Sequence, residues 1–232
     1  MFLEDGRADP TAHDNWALRK SCENGYTDVV QLLLADSRVD PTASNDIAIK
    51  ESSFNGHTDV VRLLLADGRA DPTVNNNAAI RYSSSNGHTD VVRLLLEDGR
   101  ADPTVNNNDP IRVSSSNGHA DVVRLLLADA RVDPTTFDNE AIRGSSNNGC
   151  TDVVQLLLTD GRPDPTTNGS TVIFWSSMLG HTDVVRLLLA DGRADPTVNN
   201  NHPIRLSSEN GHADIVELLL ADGRAALKTS KM

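Results

Sequence analysis

A chain of 232 residues with only 3% aromatic and 38% apolar residues lacks the bulky side chains from which one large interlocked core is built. Its burial has to come from many small faces. The formal charge of -12, from 33 acidic and 21 basic residues, disfavours the phosphate backbone of nucleic acid, which demands concentrated Lys and Arg.

Nowhere do 18 apolar residues follow one another, and the opening MFLEDGRADP has no basic region leading into an apolar stretch. Neither a membrane span nor a secretory signal is expected. Cys22 and Cys150 are too far apart in sequence to suggest a disulfide framework or a paired metal site, which fits a reducing, intracellular and cytoplasmic setting.

In chain order, residues 1–5 (MFLED) align with Leu94 to Asp98 and read as the tail of a second helix. Then a repeat begins. Gly25, Gly56, Gly87, Gly118, Gly149, Gly180 and Gly211 recur every 31 residues, each followed by a DVV or DIV and then LLL. Self-similarity at this period signals stacked units, each touching only its neighbours. Within a unit, a first helix starts at the column Asn15, Asp46, Asn77, Asn108, Asn139, Ser170 and Asn201, which reads as a set of N-caps, and it stops at the Gly. A second helix follows, as from Asp59 to Ala66, with an Asp in the first turn where the helix dipole favours negative charge. The segment DGRADPT then reads as a turn or short extended loop. After Arg224 this turn is lost, and residues 226–232 read as a short tail.

The stretch IRLSSENGHADIVELLLADGRA (204–225) is similar to the ankyrin repeat pattern TPLHxAAxxGHxxVVxxLLxxGADxN, and the likeness recurs in all seven copies. The resemblance implies an all-α solenoid of stacked helix-turn-helix units, joined by turns or short hairpin loops and forming a single domain over 1–232. The departures are regular: 31 residues against 33, an Arg within the GAD turn, and Ser-Ser where the family has Ala-Ala. The shortened loop puts the family's projecting β-hairpin in question. The serines keep the small volume that close helix packing needs, and their hydroxyls are expected to bond back to the preceding turn.

With the Gly as zero, aliphatics stand at -7 (Leu18, Ile49, Ile80, Ile111, Ile142, Ile173, Ile204) and small residues at -8, -4 and -3, one arc of the helical wheel and hence core. Columns -9, -5 and -2 are scrambled. No packed interior accepts Lys, Glu, Gly, Tyr and Trp at one position, so this side is solvent or partner, with -5 half-buried. Ankyrin first helices line a concave surface that binds other proteins, and the resemblance implies that use here.

The His column (His57, His88, His119, His181, His212) cannot hold zinc, because equivalent residues of neighbouring units stand about 10 Å apart. Hydrogen bonding to backbone is the expected role. The Asp/Asn-rich loops lack the EF-hand order, and turn chemistry explains them without calcium. The Arg columns at -6 and in the second helix are expected to pair with the Asp columns. No nucleophile motif, Walker loop or dinucleotide fingerprint occurs, so neither enzyme activity nor a cofactor is expected.

The repeat that breaks pattern is the sixth, GSTVIFWSSMLGH (169–181). Phe174 replaces the basic -6 residue, Trp175 fills -5, Met178 fills -2, and Leu179 replaces Asn at -1. These four, with Phe137 in the loop before repeat five and the variable-column aromatics Tyr82, Phe54 and Trp16, are the candidate protein-binding residues, since Trp and Tyr anchor interfaces. For repeat six the alternative is local repacking, with Trp175 covering a gap. A monomeric module that binds a protein partner is the expected function; an architectural spacer is the other reading.

Overall fold

The computed structural model describes residues 9–224; the helix remnant read at 1–5 and the tail read at 226–232 lie outside them. Among the described residues there are fourteen helices and no strand, two helices to each repeat. The pairs are α1 (Ala12–Glu23) and α2 (Thr27–Leu34), α3 (Ala43–Phe54) and α4 (Thr58–Asp67), α5 (Val74–Ser85) and α6 (Thr89–Asp98), α7 (Val105–Ser116) and α8 (Ala120–Ala128), α9 (Thr136–Asn147) and α10 (Thr151–Asp160), α11 (Thr167–Leu179) and α12 (Thr182–Asp191), and α13 (Val198–Glu209) and α14 (Ala213–Asp222). Contacts group the described residues into two compact halves, divided between Pro110 and Ile111.

In the first half, Leu18, Cys22, Val30, Ile49, Val60 and Leu64 form one buried cluster, and Val61, Ile80, Val91 and Leu95 form the next. The second half repeats the scheme: Val123, Ile142, Val153 and Leu157, then Val154, Ile173, Val184, Val185, Leu188 and Ile204. Repeats two to six thus each bury the -7 isoleucine of the first helix against two valines and one leucine of the second. At about 1.5–3 kcal/mol per fully buried side chain, this is modest burial multiplied by repetition.

The serine pair behaves differently from expectation at its second member. Ser52, Ser83, Ser145, Ser176 and Ser207 donate to the carbonyl four residues back, at 2.8 Å in each case. The second serines of repeats two to six, Ser53, Ser84, Ser115, Ser146 and Ser177, have buried hydroxyls with no partner. The small volume is used and the hydroxyl is not.

The expected N-caps are not N-caps either. In repeats one to five and seven, the three residues ending in that column all have positive φ, forming one turn of left-handed helix: Asn75 (φ 51), Asn76 (φ 61) and Asn77 (φ 54) are typical. The cost is about 1–2 kcal/mol per residue with a Cβ, least for Asn and Asp, which explains the asparagine-rich run. The column residue turns its side chain to the next repeat. Asn15 Oδ1 accepts the Asp40 N–H at 2.9 Å, and Asp46, Asn77 and Asn139 accept those of Asp71, Asp102 and Asp164 at 2.8 Å. The left-handed turn stands where a β-hairpin was in question.

Candidate partner-binding face

Three side-chain columns set the spacing of neighbouring repeats. His57, His88 and His181 each donate from Nε2 to the carbonyl of Glu23, Phe54 and Asn147 in the preceding repeat, at 2.9 Å, and His212 reaches the Met178 carbonyl at 3.1 Å. A carbonyl can only accept, so the ring carries its proton on Nε2. This is the backbone role expected of the column. The Asn at -1 reinforces it: Asn55, Asn86 and Asn210 donate to the same Glu23, Phe54 and Met178 carbonyls.

The third column is the Arg of DGR. Arg69 grips Asp67 through Nε and Nη2 at 2.7 and 2.8 Å, while its Nη1 donates to the Val39 carbonyl of the preceding repeat at 2.7 Å. Arg100, Arg162 and Arg193 do the same to Ala70, Val132 and Pro163. The guanidinium bond holds the Asp67, Asp98, Asp160 and Asp191 carboxyls below the usual carboxylate range. In the second helices, Arg62, Arg93, Arg124 and Arg186 pair with the Asp three residues earlier, as expected.

On this frame the variable columns are partly open: -9 is half-buried at Ile47, Asp109, Glu140, Thr171 and His202, while -2 is exposed at Phe54, Asn147 and Glu209. Trp16 at -9 of α1 is exposed. Phe54 and Tyr82 are exposed in neighbouring repeats and meet edge to face, ring centroids 5.8 Å apart, with Arg81 over the Tyr82 ring. Column -5 is half-buried at Glu51, Val113, Gly144 and Leu206 and open at Lys20, Tyr82 and Trp175. Ala78, at -9, is fully buried and is the exception to the outward reading.

At three boundaries the -6 residue reaches the -9 residue of the next repeat. Arg81 Nε lies 2.9 Å from Asp109 Oδ2, and Arg112 pairs with Glu140. In repeat six Phe174 takes the arginine's place and meets His202, centroids 5.0 Å apart, with Trp175 edge-on at 5.0 Å. Phe174 is therefore half-buried and fills a rung between repeats, the repacking alternative, whereas Trp175 keeps 41% of its surface exposed. Met178 is half-buried, and Leu179 is exposed where other repeats use Asn to bond the preceding carbonyl. Phe137, exposed and left-handed at φ 51, has the Arg112 guanidinium 4.3 Å from its ring centroid; its ring partner lies in repeat four and not in the repeat-six cluster.

A cleft of about 260 Å³ opens beside Trp175, between α9 and α11, walled also by Arg143, Asn147, Asn168, Thr171 and Val172. None of these five was singled out from the sequence. A signal existed: Arg143 at -6 is followed at -9 of the next repeat by Thr171, not by an acid.

Among the described residues, no group of three or more His, Cys, Asp or Glu side chains could hold a metal ion, and no helix is long and apolar enough to cross a membrane. Burial pushes the Cys22 thiol up to about 12, far from thiolate reactivity at neutral pH.

Stacked helical pairs with a varied outer face define a repeat-protein scaffold. A family model described as ankyrin repeats (3 copies) matches residues 46–138 and again 141–230, and the chain belongs to the ankyrin repeat family. Among solved structures it is similar to the ankyrin repeat domain of Bcl-3, a member of the IkappaB family, at 22% identity and TM-score 0.64, covering 87% of this chain and 97% of that one. It is also similar to EF0377, an ankyrin repeat protein, at 20% identity and TM-score 0.61, covering 74% and 96%. No curated protein sequence matches the chain. Ankyrin repeats are in general protein-interaction modules and typically non-catalytic.

Proposed function

We propose that the chain is a non-catalytic binding module that holds a protein partner against the outer face of its first helices, needs no cofactor, and works as a cytoplasmic monomer. The observation that carries this reading is the placement of Trp16, Phe54, Tyr82 and Trp175 at exposed positions of scrambled columns, in a chain with only 3% aromatic residues. A scaffold needs none of these rings for its core. Large amphipathic rings displayed on a rigid frame supply interface area at low entropic cost.

The test uses a partner captured from cell lysate by the full chain. Trp175→Ala and Tyr82→Ala should each weaken capture at least about tenfold, the scale of an interface anchor, while the midpoint of thermal unfolding stays within about 2 °C. A partner captured equally well by both variants would remove these rings from the binding face, and a chain that captures no partner at all would favour the spacer reading.

A further inference from the structure

We infer that the cleft between α9 and α11 seats an acidic side chain, Asp or Glu, of a protein partner, with the partner's adjacent apolar residue lying on the Trp175 ring. The inference rests on the protein-binding reading above and narrows it to one chemistry.

The argument starts from the rung between repeats. Arg81 and Arg112 each find a carboxylate at -9 of the next repeat, Asp109 and Glu140. For Arg143 that position holds Thr171, whose hydroxyl donates within its own helix to the Thr167 carbonyl at 3.4 Å. Arg143 itself donates only from Nη1, to the Asp138 carbonyl at 3.2 Å, and makes no ion pair among the described residues. Arg19 and Lys50 at -6 also lack an acid at the next -9, which holds Ile47 and Ala78; Lys50 pairs with Glu51 of its own helix, and Arg19 donates to the His13 carbonyl. Beside Arg143 the following -5 residue is Trp175.

The place of the missing carboxylate is open. The wall residues of the cleft are Arg143, Asn147, Asn168, Thr171, Val172 and Trp175, with no acidic side chain among them. The apolar wall is held in place, since Phe174 braces Trp175 edge-on and is itself braced by His202. A guanidinium without a carboxylate, amide groups and a fixed indole match an acidic residue next to an apolar one. Guanidinium and carboxylate pair bidentately, and the indole covers aliphatic surface.

The test is selection of a random dodecapeptide library, displayed as N-terminal fusions so that no free carboxy terminus is presented, against the full unmodified chain. Fluorescence polarisation of each synthesised, dye-labelled winner reads its binding. The expected result is enrichment of Asp or Glu beside an apolar residue, with affinity at least about tenfold weaker for Arg143→Gln. Thr171→Glu is the second variant: it keeps Arg143 and Trp175, places a carboxylate as Glu140 stands to Arg112, and should abolish binding with no loss of thermal stability. Enriched peptides that bind both variants as well as the parent overturn the acidic-cleft assignment while leaving the protein-binding reading standing. A library that yields no binder overturns both.

Discussion

At the scale of single residues, the fold depends on pairs that meet across a repeat boundary. Gly25 has φ +73, and a Cβ built there would lie 2.6 Å from His57 Nδ1, so the glycine answers both to its own backbone and to a ring in the next repeat. Gly25→Ala should therefore cost more than the roughly 1–2 kcal/mol of left-handed strain alone. His57→Ala removes the bond to the Glu23 carbonyl, worth about 1 kcal/mol. The double variant should be less destabilised than the sum of the singles, because the clash vanishes with the ring; additive losses in urea denaturation would refute the coupling. The second serine of each pair makes the opposite case. Ser84 has a buried, unpartnered hydroxyl, and such a group carries a desolvation penalty of about 1–3 kcal/mol, so Ser84→Ala should raise the urea midpoint. Ser83→Ala, which gives up a 2.8 Å bond to the Ala79 carbonyl along with its hydroxyl, should leave it nearly unchanged. A rise for Ser83→Ala and none for Ser84→Ala would reverse the assignment. The sequence shows two serines in a row, and nothing in it distinguishes the one that bonds the carbonyl four residues back from the one that does not.

At the scale of the element, the turn before each first helix is where reading the sequence went astray, for a physical reason. Asn and Asp are favoured both as N-caps and in left-handed conformation, so a column of them fits either role. The run of three decides it: Asn75, Asn76 and Asn77 wind together, and Asn76 Nδ2 donates to Asn106 Oδ1 at 2.6 Å. Phe137 is the costly member of this series, since φ 51 is a left-handed conformation that a bulky residue tolerates poorly. The Arg112 contact offsets part of that, about 0.5–1 kcal/mol. Phe137→Asn should accordingly stabilise the chain by up to about 1 kcal/mol in thermal or urea unfolding. A ring kept against the backbone's preference is consistent with use as an interface residue; loss of stability in this variant would show that the aromatic packs more strongly than it strains. The helices, by contrast, were legible because the Val-Val-x-x-Leu spacing and the Gly stops have no second interpretation. At the proposed site, Trp175 was visible as a deviation, but Phe174 read as surface because the partner that half-buries it, His202, lies in the next repeat. Arg143 was hidden in a column of seemingly equivalent arginines.

At the scale of the whole molecule, small repeated terms add, and acid titration exposes the sum. Asp36, Asp67, Asp98, Asp129, Asp160, Asp191 and Asp222 are all held below the ordinary carboxylate range, first through the hydrogen bond from the Arg two residues on; Asp36 is lowered to about 2. A carboxyl whose folded pKa is depressed contributes stability that is present above its unfolded value, about 3.9, and is lost as pH falls through the folded value. Asp46 runs the other way, raised by burial, and is outnumbered. The unfolding midpoint should therefore hold from neutral pH down to about 4 and drop steeply between about 4 and 2; a flat profile across that window would show that the clasps are screened out. The His–carbonyl, Arg–carbonyl and Asn–N–H bonds have a further consequence. They join residues 34, 30 and 25 positions apart, always from one period to the next and never to a fixed address in the chain. Removing or copying 31 consecutive residues where these columns are filled, as in repeats two and three, thus brings an equivalent donor back to an equivalent acceptor. Such a gene can grow or shrink by duplication without inventing a new joint, and each added copy leaves only its outer columns free to diverge.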